Sequence, residues 1–305
     1  MKLAKVLFIT LLFFTAQLNA KKIYVNDNST TGDVYTSAVG LAANNGTTSA
    51  TPKLTLAQAY TVAVAGDTIF IDRGTYVENT INGGIGINKS LTFIGAGTGN
   101  TIFTGNATNN RFATLSTNNI VFQSMTFVNY YYDVAQGQVF TINTNLTGIV
   151  FNNVVIRKNP GATVAGNGAN VYMSSGSNVT FNSSVISCSG WNADGGGSIA
   201  VDNSTLTVNS CLFIDDRNFA DWGGAIKMFN ASPVVTVSNT TFNRCSSRRG
   251  GAIYQGSGVL TVTGSYFSNN FTAGDASDPL NGGGAFYKLA GTTTFSNCVF
   301  TGDRK

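Results

Sequence analysis

The feature that most constrains the fold is a short pattern that recurs along the chain. Each copy begins with an apolar residue, which is followed by a position that is usually Thr and by a second apolar residue. Two small polar residues and an apolar pair that ends in Phe or Ile complete the copy. The two anchors of a copy are five residues apart, and corresponding anchors of successive copies are 25 to 33 residues apart. This period predicts a solenoid of stacked coils. The anchor pairs are Phe122 and Phe127, Phe151 and Ile156, Phe181 and Ile186, Val208 and Phe213, Val237 and Phe242, Val262 and Phe267, and Phe295 and Phe300.

The spacing within a copy predicts two short strands that are joined by a tight turn. Small or turn-forming residues occupy the turn position, namely Asn153, Ser183, Ser210, Asn239, Gly264 and Asn297. A third apolar segment lies upstream in each coil, as GGSI at 196–199, GGAI at 223–226 and 250–253, and GGAF at 283–286. Parallel crossovers are right-handed. The sequence therefore predicts an all-β fold, a single-stranded right-handed parallel β-helix with three strands per coil, about nine coils and a short N-terminal capping helix.

The first twenty residues predict export. Lys2 and Lys5 precede an apolar run over 6–14, and smaller and polar residues follow up to Ala20, as in a secretory signal peptide. No later run is long enough for a membrane span. We expect a signal peptide at 1–20, an N-terminal extension at 21–50 and a β-helix domain at 51–305. The expected location is extracellular, either as a secreted protein or on the outer cell surface.

The charge balance indicates which partners are not expected. Removal of residues 1–20 takes away two lysines and no acid, so the net charge falls from +4 to +2. This excess is too small to indicate binding to nucleic acid or to an anionic membrane.

The four cysteines allow three disulfide pairings in an exported protein. The repeat places Cys211 and Cys298 three coils apart, and Cys188 and Cys245 two coils apart. Because strands of neighbouring coils are about 4.8 Å apart, both distances exceed the reach of a disulfide. The pattern favours buried thiols that fill small core positions.

The start of the solenoid has its own signature. The segment LTLAQAY at 54–60 predicts a short amphipathic helix that covers the apolar end of the first coil, and 65–76 predicts a turn, a strand and a second turn. The run AGDTIFIDRGTYVE, with LAQA before it, resembles the N-terminal cap and first coil of bacterial pectate-lyase-like β-helix proteins. The small-residue turns resemble the Asn-rich turn of the same superfamily. This resemblance covers nearly the whole mature chain and implies the fold more strongly than an activity.

The GGAI and GGAF copies alternate with Phe-rich ends such as FSNN at 267–270. They resemble repeats of polymorphic outer membrane proteins, which are autotransported adhesins. Most copies lack the Phe-x-x-Asn form, and no translocator barrel follows. The chain stops directly after a predicted strand, with no segment that would cap the last coil, so we expect a further C-terminal domain of the same gene.

The chain has no histidine, which excludes imidazole bases, histidine metal sites and Ser-His-Asp or Cys-His nucleophiles. In the resembled lyases, the face of the Gly-Gly-Ala strands and its loops form the substrate groove. Aromatic and charged residues on this face suit a sugar chain. The alternative is that outward Tyr favours strands in any case and that the Trp residues pack under their loops. The predicted substrate-binding residues are Tyr172, Trp191, Trp222, Lys227, Tyr254 and Tyr287.

The candidate catalytic residues are Asp215, Asp216 and Arg244. The carboxylates, with Asp221, could be the acid and base of a glycosidase, or Ca²⁺ ligands beside an Arg that acts as a lyase base. The alternative is a surface ion pair across coils in solvated turns, which the lack of a superfamily catalytic motif favours. No other cofactor or metal is predicted.

Three functions are compatible with these sequence features. The leading one is an exported, adhesin-like protein that presents an elongated face to a polysaccharide or a cell-surface glycan and has no catalytic motif. The alternative is a polysaccharide lyase or glycoside hydrolase that acts beside the Gly-Gly-Ala strands. The third is ice binding through outward Thr residues, although Thr is also a common residue of solvated strands. The column contains Thr180, Thr207, Thr236, Thr261 and Thr294.

Overall fold

Three stacks of parallel strands form the body of the protein in the computed structural model. The structure describes residues 20–78, 84–105, 110–130, 137–158, 169–187, 197–273 and 282–305. Strands are numbered in chain order. From β4 onward, successive coils contribute one strand to each stack, as the prediction of three strands per coil requires.

Stacks 1 and 2 join into one 17-stranded sheet through two long strands that bend from one stack into the other. Stack 1 contains β1 (Lys22–Val25), β2 (Thr68–Ile71), β5 (Thr92–Gly95), the first parts of β8 (Ile120–Tyr130) and β10 (Ile149–Lys158), β12 (Asn178–Asn182), β15 (Thr205–Asn209), β19 (Val234–Ser238), β23 (Val259–Thr263) and β27 (Thr292–Ser296). Stack 2 contains β3 (Gly74–Tyr76), β6 (Thr101–Thr104), the second parts of β8 and β10, β13 (Val185–Ser187), β16 (Leu212–Ile214), β20 (Thr241–Asn243), β24 (Tyr266–Ser268) and β28 (Val299–Thr301).

Stack 3 is a separate eight-stranded sheet, and a small three-stranded sheet lies beside the later coils. Stack 3 contains β4 (Ile85–Ile87), β7 (Ala113–Leu115), β9 (Phe140–Ile142), β11 (Val171–Met173), β14 (Ile199–Asp202), β18 (Ile226–Phe229), β22 (Ile253–Gln255) and β26 (Phe286–Lys288). The small sheet contains β17 (Arg217–Trp222), β21 (Ser246–Arg249) and β25 (Phe271–Thr272). The predicted count of nine coils is not confirmed, because stack 3 has eight strands in the part of the chain that the structure describes.

The turn between stacks 1 and 2 is a column of residues in the left-handed backbone region. The φ angles are 49° at Asn153, 48° at Ser183, 54° at Ser210, 50° at Asn239, 59° at Gly264 and 52° at Asn297. Asn and Gly tolerate this conformation best, and Ser adopts it less often. All six turn positions that the sequence predicts are therefore confirmed.

The anchors line the inside of the coils. The anchor pairs from Phe122 and Phe127 to Val262 and Phe267 are fully buried, whereas Phe300 in the last coil is 47% exposed. Aromatic anchors of successive coils stack face to face, with ring centroids 4.5 Å apart for Phe151 and Phe181 and 4.7 Å apart for Phe242 and Phe267. Each coil thus buries its apolar residues against the next coil.

A ladder of small polar side chains follows the turn column. Each side chain accepts a hydrogen bond from the backbone N–H at the same position one coil earlier. The donor–acceptor pairs are Val154 with Ser184 at 3.1 Å, Ser184 with Cys211 at 3.4 Å, Cys211 with Thr240 at 3.2 Å, and Thr240 with Ser265 at 3.2 Å. This ladder satisfies backbone groups that the turn removes from the sheet.

The cysteines of the described residues are free, and Cys211 and Cys245 are buried as predicted, while Cys298 is partly buried. Burial raises the pKa of the Cys211 thiol to about 11, which keeps it protonated and unreactive. Cys188 lies outside the described residues.

The single helix of the described residues, α1 (Leu56–Val62), covers the N-terminal end of the coils. The Thr55 hydroxyl caps its first turn by accepting from Gln58 N at 3.2 Å. Lys89 donates to the carbonyl oxygens of Tyr60 and Ala63 at 2.7 and 2.8 Å, near the helix C-terminus. The predicted capping helix is confirmed. No helix in the described part of the chain is long and apolar enough to cross a membrane.

Candidate functional site

One outward column runs along stack 3 and contains most of the residues that the sequence predicts for glycan binding. The strand register places Tyr172 beside Ala200, Ala200 beside Lys227, Lys227 beside Tyr254, and Tyr254 beside Tyr287. The alternation of inward and outward residues in the Gly-Gly-Ala strands therefore predicts this column correctly.

The side chains of this column are much less exposed than an open ladder would be. Tyr172, Lys227 and Tyr254 are 3%, 8% and 1% exposed, whereas Tyr287 is half-buried. The Tyr172 hydroxyl donates to Asp202 Oδ2 at 2.9 Å. Burial, followed by this hydrogen bond, raises the pKa of Tyr172 above its usual value. Most of the predicted ladder is thus a second, outer layer of packed side chains.

Half-buried Trp222 lies on top of this layer. Its ring centroid is 4.8 Å from that of Tyr254, and the Tyr254 and Tyr287 rings stack at 5.8 Å. The Lys227 ammonium lies 5.4 Å from the Trp222 ring, and the Arg249 guanidinium lies 5.2 Å from it. We call Trp222, Lys227, Phe229, Arg249, Tyr254 and Tyr287 the aromatic–cation cluster.

Aromatic rings and cations alternate within the cluster and contact one another. Lys227 lies between the Trp222 and Phe229 rings, at 5.4 Å from each. Arg249 lies between the Trp222 and Tyr287 rings, at 5.2 and 5.8 Å. Cation–π contacts of this kind contribute most when they are shielded from water. The arrangement fixes the orientation of Trp222 and Tyr287, whose rings are partly open to solvent.

Neither Phe229 nor Arg249 is among the predicted substrate-binding residues, although the sequence places Arg249 in a loop that enters this face. Phe229 is two residues after Lys227 in β18, so strand alternation places both on the same side of the sheet. This signal was present in the sequence. The pairing of Trp222 with Arg249 depends on the small sheet of β17 and β21, which has a register shift that no repeat pattern predicts. Trp191 and the side chain of Asp221 lie outside the described residues.

Asp215 and Arg244 form a bidentate ion pair between neighbouring coils. The Arg244 Nε and Nη2 atoms donate to the two Asp215 carboxylate oxygens at 2.7 and 2.8 Å. Both residues occupy turns, with φ of 56° and 55°. The hydrogen bond to Arg244 lowers the pKa of Asp215, and the same bond raises the pKa of Arg244. A guanidinium in such a pair stays protonated and is a poor candidate for a base.

Asp216 points into the coil and is fully buried, whereas the Asp215 side chain is 33% exposed. The Asp216 carboxylate accepts a hydrogen bond from the Ser198 hydroxyl, and the Asp216 backbone oxygen accepts one from Ser246 N at 2.6 Å. The structure therefore does not bring these two carboxylates together at one surface site. Among the described residues, no group of three or more His, Cys, Asp and Glu side chains could hold a metal ion.

A cavity of about 480 Å³ lies at the first coils. It is polar, and its lining contains none of the residues that the sequence predicts for substrate binding or catalysis. The lining residues include Asp27, Arg73, Thr75, Asn100 and Ile102.

Comparisons with known proteins concern the fold. Residues 161–300 match the family model described as right handed beta helix region. A rhamnogalacturonan lyase structure is similar with a TM-score of 0.50 and 13% identity, over 88% of this chain and 84% of that chain. The crystal structure of pectate lyase Pel9A is similar with a TM-score of 0.49 and 14% identity, over 93% of this chain and 79% of that chain.

No match was found among curated proteins. The resemblance to repeats of polymorphic outer membrane proteins is not confirmed by these comparisons. The parallel register of all three stacks agrees with the match to the family model. The chain therefore has the fold of a right-handed parallel β-helix, and residues 161–300 match the model of the right handed beta helix region family.

Proposed function

We propose that this protein binds glycans through the aromatic–cation cluster on stack 3 and does not cleave them. The observation that supports this proposal is the orientation of Trp222 and Tyr287, two half-buried rings fixed by Lys227 and Arg249. Flat rings held in one orientation pack against the C–H faces of sugar rings at a low entropic cost.

The positions of the two candidate carboxylates, Asp215 and Asp216, support binding over cleavage. A glycosidase requires two carboxyl groups that face one bond of the substrate. Here, Asp215 is committed to Arg244 and Asp216 is turned into the coil. The name of the similar lyase structure does not decide the question, because a shared fold at 13% identity does not imply a shared activity.

The test is retention of the mature protein on an array of neutral and acidic polysaccharides, with and without Ca²⁺. We expect retention that falls at least tenfold in Trp222→Ala and Tyr287→Ala. Phe70→Ala is the matched control, because it also removes a half-buried ring that stacks on a Tyr and lies 5.7 Å from a Lys ammonium, but in the first coils. Equal losses in all three variants would contradict a site at the cluster.

The same samples decide between binding and cleavage. We expect no new reducing or unsaturated ends in the retained polysaccharides. Cleavage that Asp215→Ala or Arg244→Ala abolishes would replace this proposal with that of a lyase or hydrolase.

The proposed setting of this binding is outside the cell. The proposal rests on Lys2, Lys5 and the apolar run that follows them. Secretion of the full-length chain, followed by N-terminal sequencing, should give a mature protein that starts at Lys21. An unprocessed chain that retains Met1 would contradict export by this signal.

A further inference from the structure

The start of β1 is held by one buried carboxylate. Asp67 directly precedes β2 and is 1% exposed. Its Oδ1 atom accepts a hydrogen bond from Lys21 N at 2.8 Å, and its Oδ2 atom accepts one from Val64 N at 2.8 Å. Lys21 directly precedes β1, and Val64 lies shortly after α1. Asp67 therefore joins the first strand and the end of the capping helix to the first coil.

The sheet itself sets the position of Lys21 N beside the carboxylate. Thr68 N donates to Lys21 O at 2.9 Å, and Thr92 N in the next coil donates to Asp67 O at 3.2 Å. Beyond this point β1 and β2 pair in parallel over their full length without a register shift. The contact between Lys21 N and Asp67 therefore depends on fixed backbone and not on a flexible side chain.

The buried carboxylate lacks a cationic side chain. Among the described residues, both partners of the Asp67 carboxylate are backbone N–H groups, and no Lys or Arg forms an ion pair with it. The nearby lysines have other contacts, since Lys22 lies 5.7 Å from the Phe70 ring and Lys89 donates to backbone oxygens at the end of α1. A carboxylate that is shielded from water is stabilised more by a cation than by neutral donors. A positive charge on the Lys21 nitrogen would therefore be favourable at this place.

Removal of the predicted signal peptide would supply that charge. Ala20 and Lys21, between which the sequence predicts cleavage, are both exposed. Hydrolysis of this peptide bond by a signal peptidase consumes one water molecule, and leaves a carboxylate on Ala20 and an amino group on Lys21. An α-amino group is mostly protonated at neutral pH. The nitrogen that is a neutral donor in the precursor thus becomes an ammonium in the processed protein.

We propose that signal-peptide cleavage creates an ion pair between the Lys21 α-ammonium and the Asp67 carboxylate, which locks β1 onto β2. The proposal rests on the proposed export of the protein and adds a structural consequence of processing to it. The precursor has only a neutral hydrogen bond at this position, so its first coil opens more readily. Processing therefore completes the N-terminal end of the β-helix.

The test is hydrogen–deuterium exchange at pH 7 on three forms of the protein that differ only at the N-terminus. The first form starts with the free amino group of Lys21, the second is acetylated there, and the third retains Ala20. The acetyl group keeps an N–H donor but removes the charge, as in the precursor. The third form keeps an ammonium but moves it one residue away from Asp67.

We expect the amide hydrogens of β1 to exchange about tenfold more slowly in the first form than in the other two, because charge-assisted hydrogen bonds are the stronger ones. The amide hydrogens of β23, in a distant coil, should exchange equally in all three forms. Equal exchange of β1 in the free and the acetylated forms would overturn the proposal.

Two conservative variants assign the effect to Asp67. In Asp67→Asn the ratio between the acetylated and the free form should fall below about two, because the negative charge is removed. Glu78→Gln is the matched control, since Glu78 is also buried in the first coils and also accepts from a backbone N–H. Its ratio should stay near the wild-type value. A wild-type ratio that persists in Asp67→Asn would overturn the proposal.

The form that retains Ala20 decides the matter if Asp67→Asn loses the protection of β1 altogether. Exchange as fast as in the acetylated form supports the ion pair, whereas exchange as slow as in the free form contradicts it. All forms are prepared by cleavage of a fusion protein in vitro, so the result does not depend on export. N-terminal sequencing of the secreted chain tests the cleavage site separately, which distinguishes a failure of the proposed export from a failure of the ion pair.

Discussion

At the scale of the residue, burial decides what each polar side chain does. Glu78 is only 4% exposed, and its Oε1 atom accepts a hydrogen bond from Leu56 N at 2.6 Å, at the start of α1. Burial raises the pKa of Glu78 to about 7, although hydrogen bonds from the backbone of Leu56 and Ala57 oppose this shift. The contact that fixes the capping helix is therefore sensitive to pH.

This burial predicts a loss of stability as the pH rises. The folded-state pKa of about 7 exceeds the usual value of 4.5, so the folded state binds the proton more tightly than the unfolded state. The stabilisation that comes from protonated Glu78 is fully present below pH 4.5 and is lost as the pH rises through about 7. Over this range, the unfolding free energy falls by about 3 kcal/mol at most. Urea unfolding of the wild type and Glu78→Gln at several pH values should show that the difference in unfolding free energy between them changes over this range. A constant difference would contradict the raised pKa of Glu78.

The sequence does not reveal such environments. The outward position of Tyr172 follows from strand alternation, but its burial and its bond to Asp202 do not. Similarly, adjacent Asp215 and Asp216 look alike in the sequence. The turn at Asp215 directs one carboxylate outward and the other inward, because Asp215 adopts a left-handed φ of 56°. Conformations of single residues thus decide which candidate site residues can meet.

At the scale of the element, the polar ladder beside the turns supports each coil. Thr240 Oγ1 accepts from Cys211 N at 3.2 Å and donates to Ser238 O at 2.9 Å. Removal of this hydroxyl leaves a buried N–H without a partner. The ladder is thus expected to contribute to stability at every coil that it crosses.

A pair of adjacent variants tests the ladder. Thr240→Val should lower the unfolding free energy by about 1–3 kcal/mol, because it leaves the Cys211 N–H unsatisfied. Thr241→Val alters the next, half-buried outward residue and should change the unfolding free energy by about 0.5 kcal/mol or less. Chemical denaturation of both variants provides the measurement, and equal effects would argue against a role of the ladder.

The repeat predicts the strands and the turns because both recur with the period of the coil. Six turn positions and the buried anchors are confirmed by the φ angles and by burial. The small sheet of β17, β21 and β25 is not predicted, since it occurs beside three coils only in the described residues. Elements that do not repeat along the whole chain, such as this sheet, whose first strand ends at Trp222, leave no periodic signal in the sequence.

At the scale of the whole molecule, stability depends on how many neighbours a coil has. Phe242 is fully buried and stacks on Phe213 and Phe267 at 5.0 and 4.7 Å. Phe300 occupies the same column, stacks on Phe267 at 4.6 Å and is 47% exposed. Interfaces between neighbouring coils are the main source of stability in solenoids.

The same substitution should therefore have different effects at the two positions. Phe242→Ala is expected to lower the unfolding free energy by about 3–5 kcal/mol, since it leaves a cavity between two coils. Phe300→Ala should have less than half of that effect. Denaturation of both variants gives the comparison, and similar losses would mean that the coils do not stabilise one another through this column.

The aromatic–cation cluster makes Trp222 a reporter of the proposed glycan site. The sequence has two Trp residues, so a Trp191→Phe background leaves Trp222 as the single indole fluorophore. A polysaccharide that is retained on the array should change the Trp222 emission in a saturable titration, with the same affinity as that of retention. Retention of the polysaccharide with no change in Trp222 emission would contradict binding at the cluster, because the glycan would then bind elsewhere.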